Sequence, residues 1–203
     1  MEQRNVSSWT SMIVGYAMHG QVIESLGCFR CMRKDGVRPN SVTFVGVLSA
    51  CVHGGMVQDG KRYFRMMESE YGIMPKLRHY GCMVDLLGRA RLLEEAREMV
   101  VGMPMEANVV IWGCLMGACE KYGNVKMGEW VCKHFLELEP WNDGVYVVLS
   151  NIYASKEQNH PSTGFTTNDQ NKSSDPSPSD LSKGDNFIAV TNKLKPYCHP
   201  QSH

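Results

Sequence analysis

The chain has no run of 18 apolar residues, which excludes a helix long and apolar enough to span a bilayer. It also has no net charge: 21 Lys and Arg balance 21 Asp and Glu. That balance argues against a strongly electrostatic nucleic-acid binder, although it does not fix how the charges are distributed. No apolar stretch follows Met1-Glu2-Gln3-Arg4-Asn5, so no secretory signal or targeting segment is read at the start. The 8 cysteines are therefore expected as reduced thiols in an intracellular compartment. A glycine-rich phosphate loop and a nucleophile elbow are both missing.

What the sequence does have is a repeat. Trp9, Phe44, Tyr80 and Trp112 follow one another at steps of 35, 36 and 32 residues. Met32, Met67, Met103 and Phe135 keep the same steps. Units numbered from Val6, Ser41, Leu77 and Val109 align further positions. The eighth is apolar in all units (Ile13, Leu48, Val84, Met116), and the twentieth is small (Ser25, Gly60, Ala96, Gly128). The fifteenth is Gly20, Gly55, Arg91 and Gly123.

Each unit reads as two helices. Trp112, Leu115, Met116 and Cys119 show the helical spacing of the first. Glycine at the fifteenth position suits a helix C-cap, because it enters the left-handed region at no steric cost. A second amphipathic helix follows, as at 57–70. Gly36-Val37-Arg38-Pro39 and Gly72-Ile73-Met74-Pro75 end it, since proline cannot continue a helix. A single hairpin cannot bury its apolar face. The expected fold is therefore all-α: a right-handed superhelical solenoid of about four hairpins and one extra helix. From Asn159 to Asn186 only Phe165 and Leu181 are clearly apolar, so residues 156–203 are expected as a disordered tail.

These units resemble pentatricopeptide repeats of the plant subclass with alternating motif lengths. Residues 6–40 resemble the P-type motif. Residues 41–76, with Val47-Leu48-Ser49-Ala50-Cys51, are similar to the L type. Residues 77–108, with Met83-Val84-Asp85-Leu86-Leu87-Gly88-Arg89, resemble the S type. Residues 109–142, with Ile111-Trp112-Gly113 and Leu136-Glu137-Leu138-Glu139-Pro140, look like the first extension motif, and 143–155 like part of a second. Departures are Arg91 in place of glycine, Ala107 in place of the usual proline, and a second extension motif that stops at Ser155. On this reading the chain is a fragment or abbreviated product of a longer repeat protein, without a deaminase domain.

The resemblance implies an organelle protein, mitochondrial or chloroplast, that binds single-stranded RNA and serves cytidine-to-uridine editing or processing. It implies that the fifth and last residues of a motif face a base. In the first motif these are Thr10 and Asn40, a pair the family associates with adenine, with Ser7 and Val42 flanking the base. In the second motif Val45 and Lys76 offer little code. In the third, Asn108 can read an edge, whereas Gly81 supplies no side chain. Taken as isolated residues, Thr10 is a polar residue on an exposed helix face and Asn40 a turn residue after proline.

No enzyme is expected. A zinc deaminase needs H-x-E and a later P-C-x-x-C, and neither occurs. Cys28-x-x-Cys31 has a zinc-like spacing, but that spacing is also one helical turn, and no second pair follows at finger spacing. Cys51 and Cys119 share the eleventh register position, and Cys82 and Cys114 the sixth; all of these cysteines, Cys28 and Cys31 included, are expected in the core rather than on a metal. Cys198, His199 and His203 are incidental to the tail. No metal, cofactor, membrane or small-molecule substrate is expected. A base contact contributes roughly 1–3 kcal/mol, and micromolar affinity takes about 8 kcal/mol, so three motifs bind RNA weakly alone. The alternatives are a protein-interaction adaptor, with editing-factor proteins docking at 109–155, or a nonfunctional truncated product.

Overall fold

The computed structural model describes residues 5–158, with side chains to 155. The polar segment expected as a tail, with Cys198, His199 and His203, lies outside the described residues. Among the described residues there are nine α-helices and no strand: α1 (Val6–Met18), α2 (Val22–Lys34), α3 (Ser41–Gly54), α4 (Val57–Ser69), α5 (Leu77–Arg89), α6 (Leu93–Val101), α7 (Val109–Tyr122), α8 (Val125–Leu138) and α9 (Asp143–Gln158). The chain divides into two compact units, one up to Ala118 and one from Cys119.

The corner of every hairpin is made in the same way. Gly20, Gly55, Arg91 and Gly123, the fifteenth residues, all have a positive φ, of 69°, 61°, 64° and 63°. The following amide reaches back to the first helix: Gln21 N to Tyr16 O at 2.9 Å, Met56 N to Cys51 O at 2.9 Å, Leu92 N to Leu87 O at 2.9 Å and Asn124 N to Cys119 O at 3.0 Å. These bonds satisfy carbonyls that a helix end otherwise leaves open. Arg91, which departs from the sequence pattern, therefore does not depart from the geometry.

In the first unit, α1, α3 and α5 pack side by side, each against its own second helix, and α2 and α4 also touch the first helix of the hairpin that follows. The eighth-position residues are all buried, as are the twentieth. At the twentieth position Ser25 Oγ donates to Ile13 O at 2.9 Å, and a Cβ on Gly60 would lie 2.4 Å from Leu86 Cδ2. Small size here thus serves the next hairpin as well as its own. Phe29 meets Phe44 and Tyr63 edge to face, at 5.6 and 5.5 Å between centroids; such pairs add about 0.5–1.5 kcal/mol each beyond burial. Arg33–Glu70 and Lys61–Glu95 link successive second helices at the surface, where an ion pair contributes roughly 0.2–1 kcal/mol. In the second unit, Ile152 of α9 packs over Gly128 of α8, and Tyr153 donates to the Glu129 carboxylate.

The cysteines divide. Cys51, Cys119 and Cys132 are buried, Cys28, Cys82 and Cys114 half-buried, and Cys31 exposed. The core expectation is corrected for Cys31: it lies on the outer side of α2, three residues from Cys28. Burial pushes the Cys51 and Cys119 thiols up to about 12 and Cys82 to about 11. Such thiols stay protonated and are poor nucleophiles.

His79 ties two hairpins together. It is 1% exposed. Its Nδ1 accepts from Lys76 N at 2.9 Å, so its proton is on Nε2, which donates to Ser41 O at 2.9 Å. Burial lowers its pKa from 6.5.

Two outcomes follow for stability. Gly55→Ala is expected to cost about 1–2 kcal/mol, because a Cβ is forced into the left-handed region, whereas Arg91→Gly should stabilise by up to about 1 kcal/mol; urea unfolding of both variants checks this. For His79, the unfolded chain takes up a proton at a higher pH than the folded one. Its contribution is therefore complete above pH 6.5 and falls as the pH drops below it. The thermal midpoint is expected to decline from pH 7 to 5, and His79→Thr to flatten that decline, as read by circular dichroism.

Candidate nucleic-acid interface

Three of the four first helices begin with asparagine caps, and α5 begins with Lys76. Asn5, Asn40 and Asn108 precede α1, α3 and α7, and each side-chain oxygen accepts a backbone amide three residues on: Ser8 at 2.9 Å, Thr43 at 2.9 Å and Ile111 at 3.1 Å. An asparagine cap contributes about 1 kcal/mol relative to alanine. Asn40 and Asn108 thus have a structural task that a turn residue would not have. Both are exposed. In Asn40 the oxygen faces the helix because a backbone N–H needs an acceptor, which leaves Nδ2 outside these bonds.

Thr10 is not on an exposed face. It retains 8% of its surface, and its Oγ1 lies 2.7 Å from Thr43 Oγ1. Close approach of α1 and α3 makes this contact. A Cβ on Gly46 would lie 2.9 Å from Val14 Cγ2 and 3.2 Å from Val14 N, so glycine sets the separation. Thr43 Oγ1 also donates to Asn40 Oδ1 at 3.0 Å and accepts from Asn40 N at 3.1 Å. Thr10 and Asn40, 30 residues apart, are therefore brought together through Thr43.

The second positions stay in solvent. Ser7 and Arg78 are exposed, and Val42 and Val110 are 55% and 63% exposed. An exposed valine at the start of a helix offers an apolar contact that the core does not use. At the later junctions the polar network is not repeated. Val45 and Gly81 are half-buried, and Lys76 is exposed. The residue matching Thr43 is His79 in one unit and buried Ile111 in the next. Asn108 is thus a cap beside Gly81 and Ile111, with no hydroxyl partner from those residues.

Thr43 was missed in the sequence. The signal was available, since Asn40-x-x-Thr43 has the spacing of a capping box, an N-cap and the third helical residue exchanging bonds. Among the described residues no group of three or more His, Cys, Asp or Glu is placed to hold a metal ion.

Comparison with known proteins agrees with this architecture. Residues 4–53 match the PPR repeat family, and residues 42–71 and 78–106 match the PPR repeat. A pentatricopeptide repeat-containing protein of Arabidopsis thaliana, designated mitochondrial, is 65% identical over 154 residues, covering 76% of this chain and 33% of that relative. Another from the same plant, designated chloroplastic, is 51% identical over 152 residues, covering 75% and 20%. The chain thus spans a third or less of the length of these curated relatives. The crystal structure of the pentatricopeptide repeat protein PPR10 from maize superposes with a TM-score of 0.68 at 14% identity, over 96% of this chain and 25% of that one. That of nuclear proteinaceous RNase P 2 from A. thaliana gives 0.57 at 14% identity, over 77% and 36%. At that identity the likeness concerns the fold alone, a solenoid of helical hairpins. By its repeats between residues 4 and 106, and by its relatives, the chain belongs to the PPR repeat family.

Proposed function

We propose that the chain is the recognition part of a sequence-specific RNA-binding repeat protein that acts in organelle RNA modification, cytidine-to-uridine editing or processing, and that it does no catalysis itself. The observation that carries the reading is the meeting of Thr10 and Asn40 at one junction, with Val42 exposed beside them. Two polar side chains held by a cap can hydrogen-bond a base edge without losing much further freedom, and an apolar neighbour can contact a base face. Thr10 and Asn40 read the base, Ser7 and Val42 flank it, and Asn108 supplies a weaker reading position two units on.

The division into P-, L- and S-type motifs at 6–40, 41–76 and 77–108, with extension motifs at 109–142 and 143–155, belongs to the same proposal. It is consistent with helix pairs at each of the first four spans. The relatives designated mitochondrial and chloroplastic support an organelle location. Docking of editing-factor proteins at 109–155 is favoured by one observation: Trp141 is 85% exposed, next to a surface hollow lined by Leu138, Glu139, Pro140, Asn142 and Asp143.

Substitution at Asn40 separates capping from reading. Asparagine and aspartate cap equally well, so Asn40→Asp is expected to keep stability, whereas Asn40→Ala loses about 1 kcal/mol. Aspartate offers the base an acceptor where asparagine offers a donor. In fluorescence anisotropy with short single-stranded RNAs at low salt, Asn40→Asp is expected to shift preference from adenine toward guanine by roughly 1–3 kcal/mol at one position. Equal weakening on every RNA, or no change, removes Asn40 from base reading and favours the adaptor.

A further inference from the structure

The hydroxyl between Thr10 and Asn40 has a directional consequence. A threonine hydroxyl has one proton and two lone pairs, and an amide oxygen only accepts. Asn40 Oδ1 takes the Thr43 amide at 2.9 Å and the Thr43 hydroxyl at 3.0 Å, which commits the single proton of Thr43. Thr43 Oγ1 then accepts from Asn40 N at 3.1 Å and has one lone pair left. That lone pair faces Thr10 Oγ1 at 2.7 Å, so Thr10 donates to it. The reverse assignment would set Thr43 Oγ1 and Asn40 Oδ1, two oxygens, against each other at 3.0 Å with no proton between.

The chain of bonds therefore runs one way, from Thr10 through Thr43 to Asn40. It leaves Thr10 with bare lone pairs, an acceptor, and Asn40 with a free amide N–H, a donor. Adenine presents an amino donor beside a ring-nitrogen acceptor. A keto purine presents an oxygen in place of the amino group and an N–H in place of the ring nitrogen. An acceptor and a donor held in this order match the first and oppose the second at both points.

We infer that Thr43 is a positioning residue: it fixes the polarity of the Thr10–Asn40 pair so that this junction selects a base with an amino group over a base with a keto group. The inference rests on the RNA reading proposed above and adds to it a residue that contacts no base. It also limits the effect to one junction, because His79 and Ile111 occupy the equivalent positions of the next two units. At His79 the bonds run to Lys76 N and Ser41 O, not to a reading pair.

The test uses the full chain and a labelled short oligouridine that carries one adenosine or one inosine. Inosine replaces the amino group by a keto oxygen and the ring acceptor by an N–H. The wild type is expected to prefer adenosine about tenfold. Thr43→Val keeps the shape but removes the hydroxyl, so Thr10 can donate or accept, and the ratio should fall to about twofold. Thr43→Ser restores the hydroxyl and should keep the full ratio. Weakening both oligonucleotides equally, or an unchanged ratio, in Thr43→Val overturns the inference while leaving the RNA reading in place. Should Thr43→Val lose its helical circular dichroism, Thr10→Val tests the other end: it removes the acceptor and leaves only the Asn40 N–H to discriminate, so the ratio should fall to about twofold as well, and a ratio that stays at about tenfold refutes the relay. A wild type without adenosine preference overturns the base reading itself, and the inference with it.

Discussion

The residue at each hairpin corner adopts a left-handed backbone, and the rest of the array depends on that constraint. A helix that ends this way folds its last carbonyls back onto the next amides and sends the second helix off in a fixed direction. The same bonds recur at Gln21, Met56, Leu92 and Asn124. Successive hairpins are consequently alike, and like hairpins can stack. Arg91 shows that the stacking governs the corner as well, since it takes a φ of 64° that its side chain opposes.

Stacking in turn requires that helices approach closely at chosen places. Gly60 admits Leu86, Gly46 admits Val14, and Gly128 admits Ile152. Between these points large side chains fill the space, among them Phe29, Phe44 and Met67, all fully buried. Cysteine suits the remaining positions because it is small and apolar once protonated. The high pKa of the Cys51 thiol follows from the same burial. Packing thus accounts for the buried methionines and cysteines, among them Met32, Met67, Met83, Cys51, Cys119 and Cys132.

Close approach also builds the candidate interface. The separation of α1 and α3 that Gly46 allows brings the Thr10 hydroxyl to Thr43. Thr43 belongs at once to the cap of α3 and to the contact with α1. One residue therefore couples the start of α3 to the buried Thr10 of the neighbouring hairpin. His79 makes a comparable link between α3 and α5 but uses its ring for it entirely. The two junctions have one architecture and different chemistry, which is how a repeat protein varies its surface without altering its scaffold.

The hairpin spacing, the apolar eighth position, the small twentieth and the glycine corners were legible in the sequence, because each reflects a local rule of backbone geometry repeated at a fixed interval. Asn40 was legible as a position in the register, though not as a cap. What the sequence alone did not determine was the state of Thr10, which as an isolated residue reads as polar on an exposed face and is buried against Thr43. Nor did it determine Cys31, which shares a helical turn with Cys28 yet points outward. Both depend on which side of a helix meets a neighbour, and that is decided by contacts between residues far apart in the chain. The Thr10–Thr43 bond spans 33 residues and forms only because two hairpins have already stacked. Local rules act within one turn of helix; a hydrogen bond between hairpins needs the whole stack in place, and only the tertiary structure supplies that.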